Sequence, residues 1–333
     1  MKNILAASLV AAAVALAGGA ALADEPIVIK FSHVVAPDTP KGEGADKFKE
    51  LAEKYTNGKV RIEVYPNSQL YKDKEEVEAL QLGAVQMLAP SLAKFGPLGV
   101  KEFEVFDLPY IVPDKAALRR VTDGPLGRSL FRKLESKGIT GLAYWENGFK
   151  IMSANKPLRL PADFQGLKMR IQSSKVLEAQ FKALGAQPQV MAFSDVYQAM
   201  ETGVVDGSEN TPSNMWSQKH FEVQKYATLS NHGYNGYAVI VNKKFWDGLP
   251  ADIRGQLDKA MAEATTYAND LSQKDNDDAL AAMKASGKTT FIELTADETA
   301  AWHKALDPVA AEMTARIGKE TIDAFHQATA GGN

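Results

Sequence analysis

The sequence predicts an α/β protein of two domains, and three observations support this prediction. Strand and helix patterns alternate along the chain from residue 27 onward, which is typical of α/β sheets. The chain has 333 residues, more than a single hydrophobic core usually serves. No low-complexity, Pro-rich or Ser-rich linker divides it, so we expect domains joined by several short crossings that form a tight hinge.

Residues 1–23 have the pattern of a secretory signal peptide. Lys2 precedes an apolar run that ends at Ala17, and Ala21 and Ala23 are the small residues that a cleavage site needs. We therefore expect an exported chain cleaved after Ala23. No later stretch approaches the roughly 20 apolar residues of a membrane span. The chain has no cysteine, which excludes disulfides and a thiol nucleophile.

The first elements after the predicted signal peptide are a strand, a helix and a strand. The apolar run "IVIKFSH" predicts a buried strand. Thr39 before Pro40 is a helix start signal, and Asn57 with Gly58 is an end signal. Apolar and polar residues then alternate in "KVRIEVYP", which predicts the second strand.

Two later segments, residues 75–91 and 194–210, share one plan. Each begins as a helix, breaks at a glycine, continues as a Val-containing strand and ends in small polar residues. Because ligands gather at strand ends in open α/β sheets, Ser91 and Asn210 are candidate equivalent site positions. The general likeness of βα units is an alternative explanation that the pattern leaves open.

Residues 251–287 predict a long helix. Apolar residues from Ile253 to Leu271 recur at spacings of 4, 3, 4, 3 and 4. One helix of around 30 residues would be about 45 Å long, enough to run along both domains. The charged segment "QKDNDD" leaves two shorter helices as an alternative. Two further helical patterns complete the chain.

Enzyme signatures are poor in this sequence. The five histidines show neither HExxH nor paired i, i+4 spacing, so we expect no metal site. "SANK" matches Ser-x-x-Lys without the accompanying motifs of penicillin-binding enzymes. "GKTT" resembles the end of a phosphate-binding loop, but Ala282 stands in place of the first glycine. We attribute these matches to chance and expect no catalytic residue, metal or cofactor.

The charge balance gives no sign of a nucleic-acid partner. The formal net charge is −3, and removal of Lys2 makes it one unit more negative. The remaining polar candidates suit a small anion instead. Arg170 lies in "GLKMRIQSS", where apolar and polar residues alternate, and its guanidinium matches a carboxylate with two charge-assisted hydrogen bonds. Lys150 would supply a point charge for a second carboxylate, and Asn210 a polar contact. Alternation alone leaves a solvent-exposed role open for each cation.

The motifs around these residues resemble one protein family. "FSHVVAPDTPKGEGA", "FKIMSANKPL", "FQGLKMRIQSS", "AFSDVYQAMETGVVDGSENTPSN" and "GYAVIVNKKFWDGLP" occur in the family order across nearly the whole chain after residue 23. The chain resembles DctP-type periplasmic solute-binding proteins of tripartite ATP-independent periplasmic (TRAP) transporters, especially the C4-dicarboxylate-binding members.

The resemblance implies roles for the candidate residues. The strand arginine, here Arg170, binds the ligand carboxylate in this family, and the first asparagine of "ENTPSN", here Asn210, also reaches it. Lys150 stands where many members carry a second arginine, which disfavours sialic acid and suits the far carboxylate of a short diacid. By position, three more residues line the cleft: His33 and Ser91 on the first domain's side and Phe193 beside the ligand. For the histidine and the phenylalanine, a structural role in the core remains open.

The resemblance also implies a periplasmic binding protein (Venus-flytrap) fold, with a ligand cleft between two α/β domains and a long helix spanning both. Domain I is expected at residues 24–148 and 236–275, and domain II at 149–235 and 276–333.

The implied function is capture of a C4-dicarboxylate such as malate, succinate or fumarate by lobe closure, and delivery to the TRAP membrane permease. We expect a periplasmic monomer without nucleic acid. Another small organic acid (hydroxy, keto or aromatic) and an exported enzyme acting on a carboxylate are alternatives. An adhesion module is disfavoured, because repeats and aromatic runs are missing from the sequence.

Overall fold

A computed structural model describes residues 25–331 as two β-sheets with helices packed against them. The predicted signal peptide lies outside the described residues. The predicted alternation of strands and helices is confirmed, and the chain has the expected α/β architecture. Within residues 25–331, no helix combines the length and the apolar character needed to cross a membrane.

The first sheet contains five strands. In chain order these are β1 (Ile27–Ser32), β2 (Val60–Tyr65), β3 (Met87–Leu88), β4 (Ile139–Phe149) and β10 (Tyr234–Asn242). Their spatial order is β2-β1-β3-β10-β4. β1 is parallel to β2 and β3, whereas β10 is antiparallel to β3 and β4.

The second sheet contains six strands. In chain order these are β5 (Ile151–Ala154), β6 (Lys168–Ile171), β7 (Gln187–Val190), β8 (Gly207–Asn210), β9 (Tyr226–Thr228) and β11 (Thr290–Ile292). Their spatial order is β11-β9-β5-β8-β6-β7. β6 is parallel to both β7 and β8, so the carboxyl ends of these strands lie at the same edge.

Eleven α-helices are present among the described residues. They are α1 (Pro40–Tyr55), α2 (Glu76–Gln81), α3 (Lys115–Thr122), α4 (Pro125–Glu135), α5 (Lys175–Ala183), α6 (Val196–Glu201), α7 (Pro212–Ser217), α8 (Lys243–Asp247), α9 (Ala251–Ser286), α10 (Ala296–Ile317) and α11 (Lys319–Thr329).

Helix α1 begins and ends at the residues that the sequence predicts. The Thr39 hydroxyl accepts a hydrogen bond from the Gly42 backbone N–H at 3.2 Å, which caps the first turn. After the helix, Asn57 and Gly58 both have positive φ, which ends the helical conformation. A Cβ at Gly44 would lie 2.8 Å from the Ala268 Cβ, so glycine permits the close approach of α1 and α9.

Helix α9 is a single helix of 36 residues, which resolves the alternative that the charged segment left open. Its first half packs Leu257 and Ala264 into the core of the first sheet. Near its other end, Met283 packs with Ile151 of the second sheet. One helix therefore contacts both sheets, as predicted.

The chain passes between the two sheets at two other places. Lys150 separates β4 from β5, and residues 229–233 separate β9 from β10. Because both passages are short, they have the form expected of a tight hinge. The division into two domains with the boundaries given above stays a prediction.

The two segments with a shared sequence plan have the same construction. α2 leads to β3 and α6 leads to β8, and in each case a glycine follows the helix. Gly83 has φ +78° and Gly203 has φ +74°, a left-handed conformation that glycine adopts without strain.

Candidate ligand-binding site

A cavity lies where residues of the two sheets meet. Charged and polar side chains form most of its lining, and a few apolar side chains complete it. Ser91, Arg170 and Asn210 all line it. Ser91 pairs with Tyr237 beyond the end of β3, and Asn210 is the last residue of β8. The site therefore occupies the strand ends, as expected for an α/β fold.

Arg170 on β6 is held in one orientation. Its Nε and Nη2 donate hydrogen bonds to the Met191 carbonyl oxygen at 3.1 and 2.9 Å, so the remaining N–H groups are available to other acceptors. Burial lowers the pKa of the Arg170 guanidinium, while the charges of Asp73 and Glu209 raise it. The nearer oxygen of Asp73 is still 3.9 Å from Nη2. A buried guanidinium with no closer carboxylate is suited to bind a carboxylate from a ligand.

Two lysines on the side of the first sheet also line the cavity. Lys41 lies in the first turn of α1, and its Nζ donates to the Ala89 carbonyl oxygen at 2.9 Å. The same Nζ lies 3.8 Å from the centre of the Tyr237 ring, a cation–π contact. Lys94 is in the short 3-10 turn after Ser91. With Arg170, these residues bring three buried cations to one cavity.

Two carboxyl groups, those of Asp73 and Glu76, line the same cavity. Asp73 Oδ2 lies 2.5 Å from Lys94 Nζ, and Asp73 Oδ1 accepts from the Phe193 backbone N–H at 2.9 Å. Burial opposes ionisation of Asp73, but Lys94 and Arg170 hold its pKa below the usual value. Burial raises the pKa of Glu76, against the opposing charge of Lys41. Within residues 25–331, no group of three or more potential ligands could hold a metal ion.

The uncharged polar residues of the cavity are held together by the Tyr237 hydroxyl. It accepts hydrogen bonds from the side-chain amides of Asn147 at 2.6 Å, Asn214 at 3.2 Å and Asn235 at 3.3 Å. Asn210 Oδ1 accepts from Asn214 Nδ2 at 3.0 Å and from a backbone N–H, which leaves the Asn210 amino group as a donor for a ligand. This network links residues from both sides of the cavity.

Phe193 lines the cavity close to Arg170. Its ring centre lies 5.8 Å from the Arg170 guanidinium carbon, and the ring packs edge-on against His220. Val34 and Val35 also line the cavity and belong to the same buried hydrophobic cluster as Phe193. The cavity is thus charged in its centre and apolar at part of its wall, which is common for small-molecule sites.

Lys150, which was expected at the second carboxylate of the ligand, does not line this cavity in the structure. Lys150 is buried in the passage between the sheets, and its Nζ lies 2.8 Å from Glu209 Oε1. The other oxygen, Glu209 Oε2, lies 2.8 Å from His232 Nε2. Burial opposes ionisation of Glu209, but Lys150 and His232 hold its pKa at about 2. The charge of Lys150 is therefore balanced by the buried carboxylate of Glu209.

His33, which was expected to line the cleft, is also outside the cavity lining. The side chain is buried beside the Phe31 ring, and it is the next two residues that line the cavity. Neither ring nitrogen has a hydrogen-bond partner among the described residues. Burial and the nearby Lys41 lower the pKa of His33 to about 3, so the ring is neutral at pH 7. His33 is a core residue, the alternative left open above.

Sequence reasoning missed four charged residues of the cavity. They are Lys41, Asp73, Glu76 and Lys94, which lie in or next to the ends of helices and turns, where charged residues are common at the surface. Lys41 belongs to the motif "FSHVVAPDTPKGEGA", and Asp73 comes just before the segment 75–91. No periodicity distinguishes either residue from an exposed charge. Gln172 could have been predicted from the sequence, because alternation places it on the same face of the strand as Arg170. It does line the cavity.

Two sheets joined by short passages, with a cation-rich cavity between them, define a binding protein for a small anion. The family model described as "Bacterial extracellular solute-binding protein, family 7" (DctP) matches residues 31–317. The chain belongs to this family. The resemblance found in the sequence motifs is thereby confirmed, as is the prediction of a binding protein rather than an enzyme.

Individual relatives agree with this assignment. The chain is 70% identical to the "C4-dicarboxylate-binding periplasmic protein DctP" of Rhodobacter capsulatus, over 99% of both chains. It is similar to a TRAP periplasmic solute-binding protein from Sulfurospirillum deleyianum with bound succinate (48% identity, TM-score 0.87, 90% of this chain and 98% of that one). It is also similar to one from Pseudomonas aeruginosa with bound L-malate (45% identity, TM-score 0.84, 86% and 100%).

Proposed function

We propose that this protein captures a C4-dicarboxylate such as succinate, malate or fumarate and delivers it to a TRAP membrane permease. The observation that carries the proposal is the convergence of three buried cations, Lys41, Lys94 and Arg170, on one small cavity. The ligands named for similar proteins, succinate and L-malate, support the same ligand class.

Arg170 is proposed to bind one carboxylate of the ligand and the two lysines the other. The guanidinium is fixed by the Met191 carbonyl oxygen and can present a planar pair of donors to a carboxylate. Asn210 would donate its amide to the same carboxylate, since its Oδ1 is already engaged. Lys41 and Lys94 are on the side of the first sheet, so a ligand with two carboxylates would join both sides.

The energies of these contacts are sufficient for tight binding. A micromolar dissociation constant corresponds to about −8 kcal/mol. Each charge-assisted hydrogen bond contributes roughly 1.5 to 3 kcal/mol, so a few of them have a total of this size.

Ligand capture is proposed to work by closure of the two domains around the cavity. Contacts between residues near α2 and residues near β7 support a closed state. Asp73 accepts from the Phe193 N–H at 2.9 Å, and Lys72 Nζ lies 2.8 Å from Asp195 Oδ1. A ligand that contacts both sides adds interactions that only the closed state makes, and so shifts the equilibrium toward closure.

Isothermal titration calorimetry on the chain from residue 24 onward tests this function. We expect succinate, malate and fumarate to bind at micromolar or lower concentration and to be recovered unchanged. Butyrate is the matched control ligand, because it keeps the four-carbon chain and lacks one carboxylate. Binding of butyrate as tightly as succinate, or conversion of the ligand to a product, would contradict the proposal. Tighter binding of another organic acid would change the ligand assignment.

The remaining expectations concern the protein in the cell. We propose that residues 1–23 are removed after Ala23 on export to the periplasm, and that the chain acts as a monomer without nucleic acid. Mass spectrometry of the periplasmic fraction and light scattering test these points. A chain that retains residue 1, or a stable dimer, would contradict them.

A further inference from the structure

The ionisable groups in the cavity do not balance the charge of a dicarboxylate. Three cations (Lys41, Lys94 and Arg170) and two carboxyl groups (Asp73 and Glu76) line the cavity, and all five side chains are buried. If all are ionised, the cavity carries one net positive charge. A doubly ionised ligand would reverse this to one net negative charge in a buried place. An uncompensated buried charge is unfavourable by several kcal/mol.

The two carboxyl groups differ in how they are held. Both oxygens of Asp73 are engaged, by Lys94 Nζ at 2.5 Å and by the Phe193 backbone N–H at 2.9 Å. In contrast, Glu76 Oε1 is buried without a hydrogen-bond partner among the described residues. The side chain of Glu76 as a whole is only 1% exposed. Glu76 is therefore the carboxyl group that can gain a proton without losing a hydrogen bond.

The surroundings of Glu76 contain charges of both signs. The charged and titratable side chains that share the cavity with it come from several elements: Lys41 of α1, Asp73 before α2, Lys94 of the turn after Ser91, Arg170 of β6 and Tyr237 of β10. Burial raises the pKa of Glu76 and the charge of Asp73 adds to this, whereas Lys41 and Lys94 oppose it. Two further negative charges from a ligand would act in the same direction as Asp73.

We propose that Glu76 takes up one proton from solvent when the doubly ionised dicarboxylate binds. A new O–H bond forms on the Glu76 carboxylate, and no other bond changes. The filled cavity is then neutral, and the protonated carboxyl group becomes a hydrogen-bond donor beside the ligand. This inference rests on the proposed function and adds to it that Glu76 determines how binding depends on pH.

The sign of the pH dependence follows from linkage. A proton that is taken up on binding makes the affinity fall as pH rises, by up to about tenfold per pH unit. This applies above the pKa of Glu76 in the free protein. The carboxyl groups of the ligand ionise well below pH 7, so between pH 7 and 8 they do not contribute.

Calorimetry of succinate binding in several buffers tests the proposal. At one pH near 7, the observed enthalpy is plotted against the ionisation enthalpy of the buffer, and the slope is the number of protons taken up. We expect roughly 0.5 to 1 proton for the wild-type protein and a clearly smaller number for Glu76→Gln. The slope that remains in the variant measures Lys41, because burial lowers the pKa of its ammonium to about 8. The variant keeps the shape of a protonated glutamate, so it should bind succinate more tightly than wild type at pH 8. Glu78→Gln, at an exposed position of the same helix, is the matched control and should give the wild-type slope.

Succinate binding to wild type without proton uptake would overturn this inference and leave the proposed function intact. An unchanged slope in Glu76→Gln would overturn the assignment to Glu76. The absence of any dicarboxylate binding to wild type would overturn the proposed function, and this inference with it.

A second measurement needs no variant, in case Glu76→Gln does not fold. In infrared difference spectra of ¹³C-labelled wild-type protein with unlabelled succinate, binding should produce a protonated carboxylic acid band of the protein. Binding without such a band would overturn the proposal.

Discussion

Replacement of Arg170 by lysine retains a positive charge in the cavity and removes the planar guanidinium. The native side chain donates from Nε and Nη2 to the Met191 carbonyl oxygen at 3.1 and 2.9 Å, and this orients its other N–H groups. A lysine ammonium is a point charge on a flexible chain, so it cannot both hold Met191 and present two parallel donors to a carboxylate.

The expected loss of affinity in Arg170→Lys follows from the hydrogen bonds that the ligand would lose. An ammonium can replace one of the two charge-assisted hydrogen bonds of the fork, so the variant loses about one bond, or roughly 1.5 to 3 kcal/mol. This corresponds to roughly a 10- to 150-fold increase in the dissociation constant for succinate. Titration calorimetry at pH 7 and 25 °C measures it directly. A change below about threefold, in a variant with wild-type circular dichroism, would refute the role of Arg170 as the carboxylate anchor.

Lys168→Arg is the matched control for this experiment. It exchanges the same two side-chain types on the same strand, at a position that is exposed and outside the cavity. We expect its dissociation constant for succinate to equal that of wild type. An equal loss in both variants would mean that any change on β6 weakens binding.

Three further predictions concern charge and stability. Lys94→Met should weaken succinate binding by roughly 10- to 100-fold and butyrate binding much less, because only succinate has a second carboxylate. Glu209→Gln leaves Lys150 buried beside His232 without its counter-charge, so it should lower the unfolding free energy in urea by about 3 to 5 kcal/mol. Burial lowers the pKa of His220 from 6.5 to about 3, so the unfolded chain binds a proton first as pH falls. Stability should therefore decrease below pH 6.5, by about 1.4 kcal/mol per pH unit for this group, and His220→Leu should reduce that slope between pH 7 and 5.

Each of these three predictions would be contradicted by a specific experimental result. If Lys94→Met lost the same affinity for succinate as for butyrate, Lys94 would not bind the second carboxylate. The control for Glu209 is Glu222→Gln, which breaks an exposed ion pair with Lys288 and should leave urea unfolding unchanged. If Glu209→Gln and Glu222→Gln lowered the unfolding free energy by similar amounts, burial of the ion pair would not be the cause of the loss. A pH slope that is identical in wild type and His220→Leu would show that the pKa of this histidine is the same in the native and unfolded states.

The helices and strands were largely predictable because they depend on local patterns. The Thr39 cap and the glycine break of each repeated segment were read correctly, since caps and positive φ depend on adjacent residues. The one uncertain element was α9. Ser272 and Asn276 interrupt its apolar stripe but are buried in the helix, where Asn276 donates to the Asn147 carbonyl oxygen at 3.1 Å. A polar pair on a buried face resembles a break when only the sequence is read.

The candidate site was predictable in part. Strand ends and family motifs indicated four residues that do line the cavity: Ser91, Arg170, Phe193 and Asn210. Whether they contact the ligand remains for the experiments above. Lys150 was expected at the ligand from its charge and its place in the family motif, and neither of these reveals its pairing with Glu209.

The sequence by itself determined the α/β class, the order of the elements and an arginine at a strand end, since these follow from local periodicity and motifs. Only the tertiary structure decided which charges meet. Lys150 pairs with Glu209, 59 residues away, and this pair is outside the cavity lining. Lys94 pairs with Asp73, and both members of that pair line the cavity. Buried charges interact over a few ångströms whatever their distance along the chain, and local pattern carries no information about those distances.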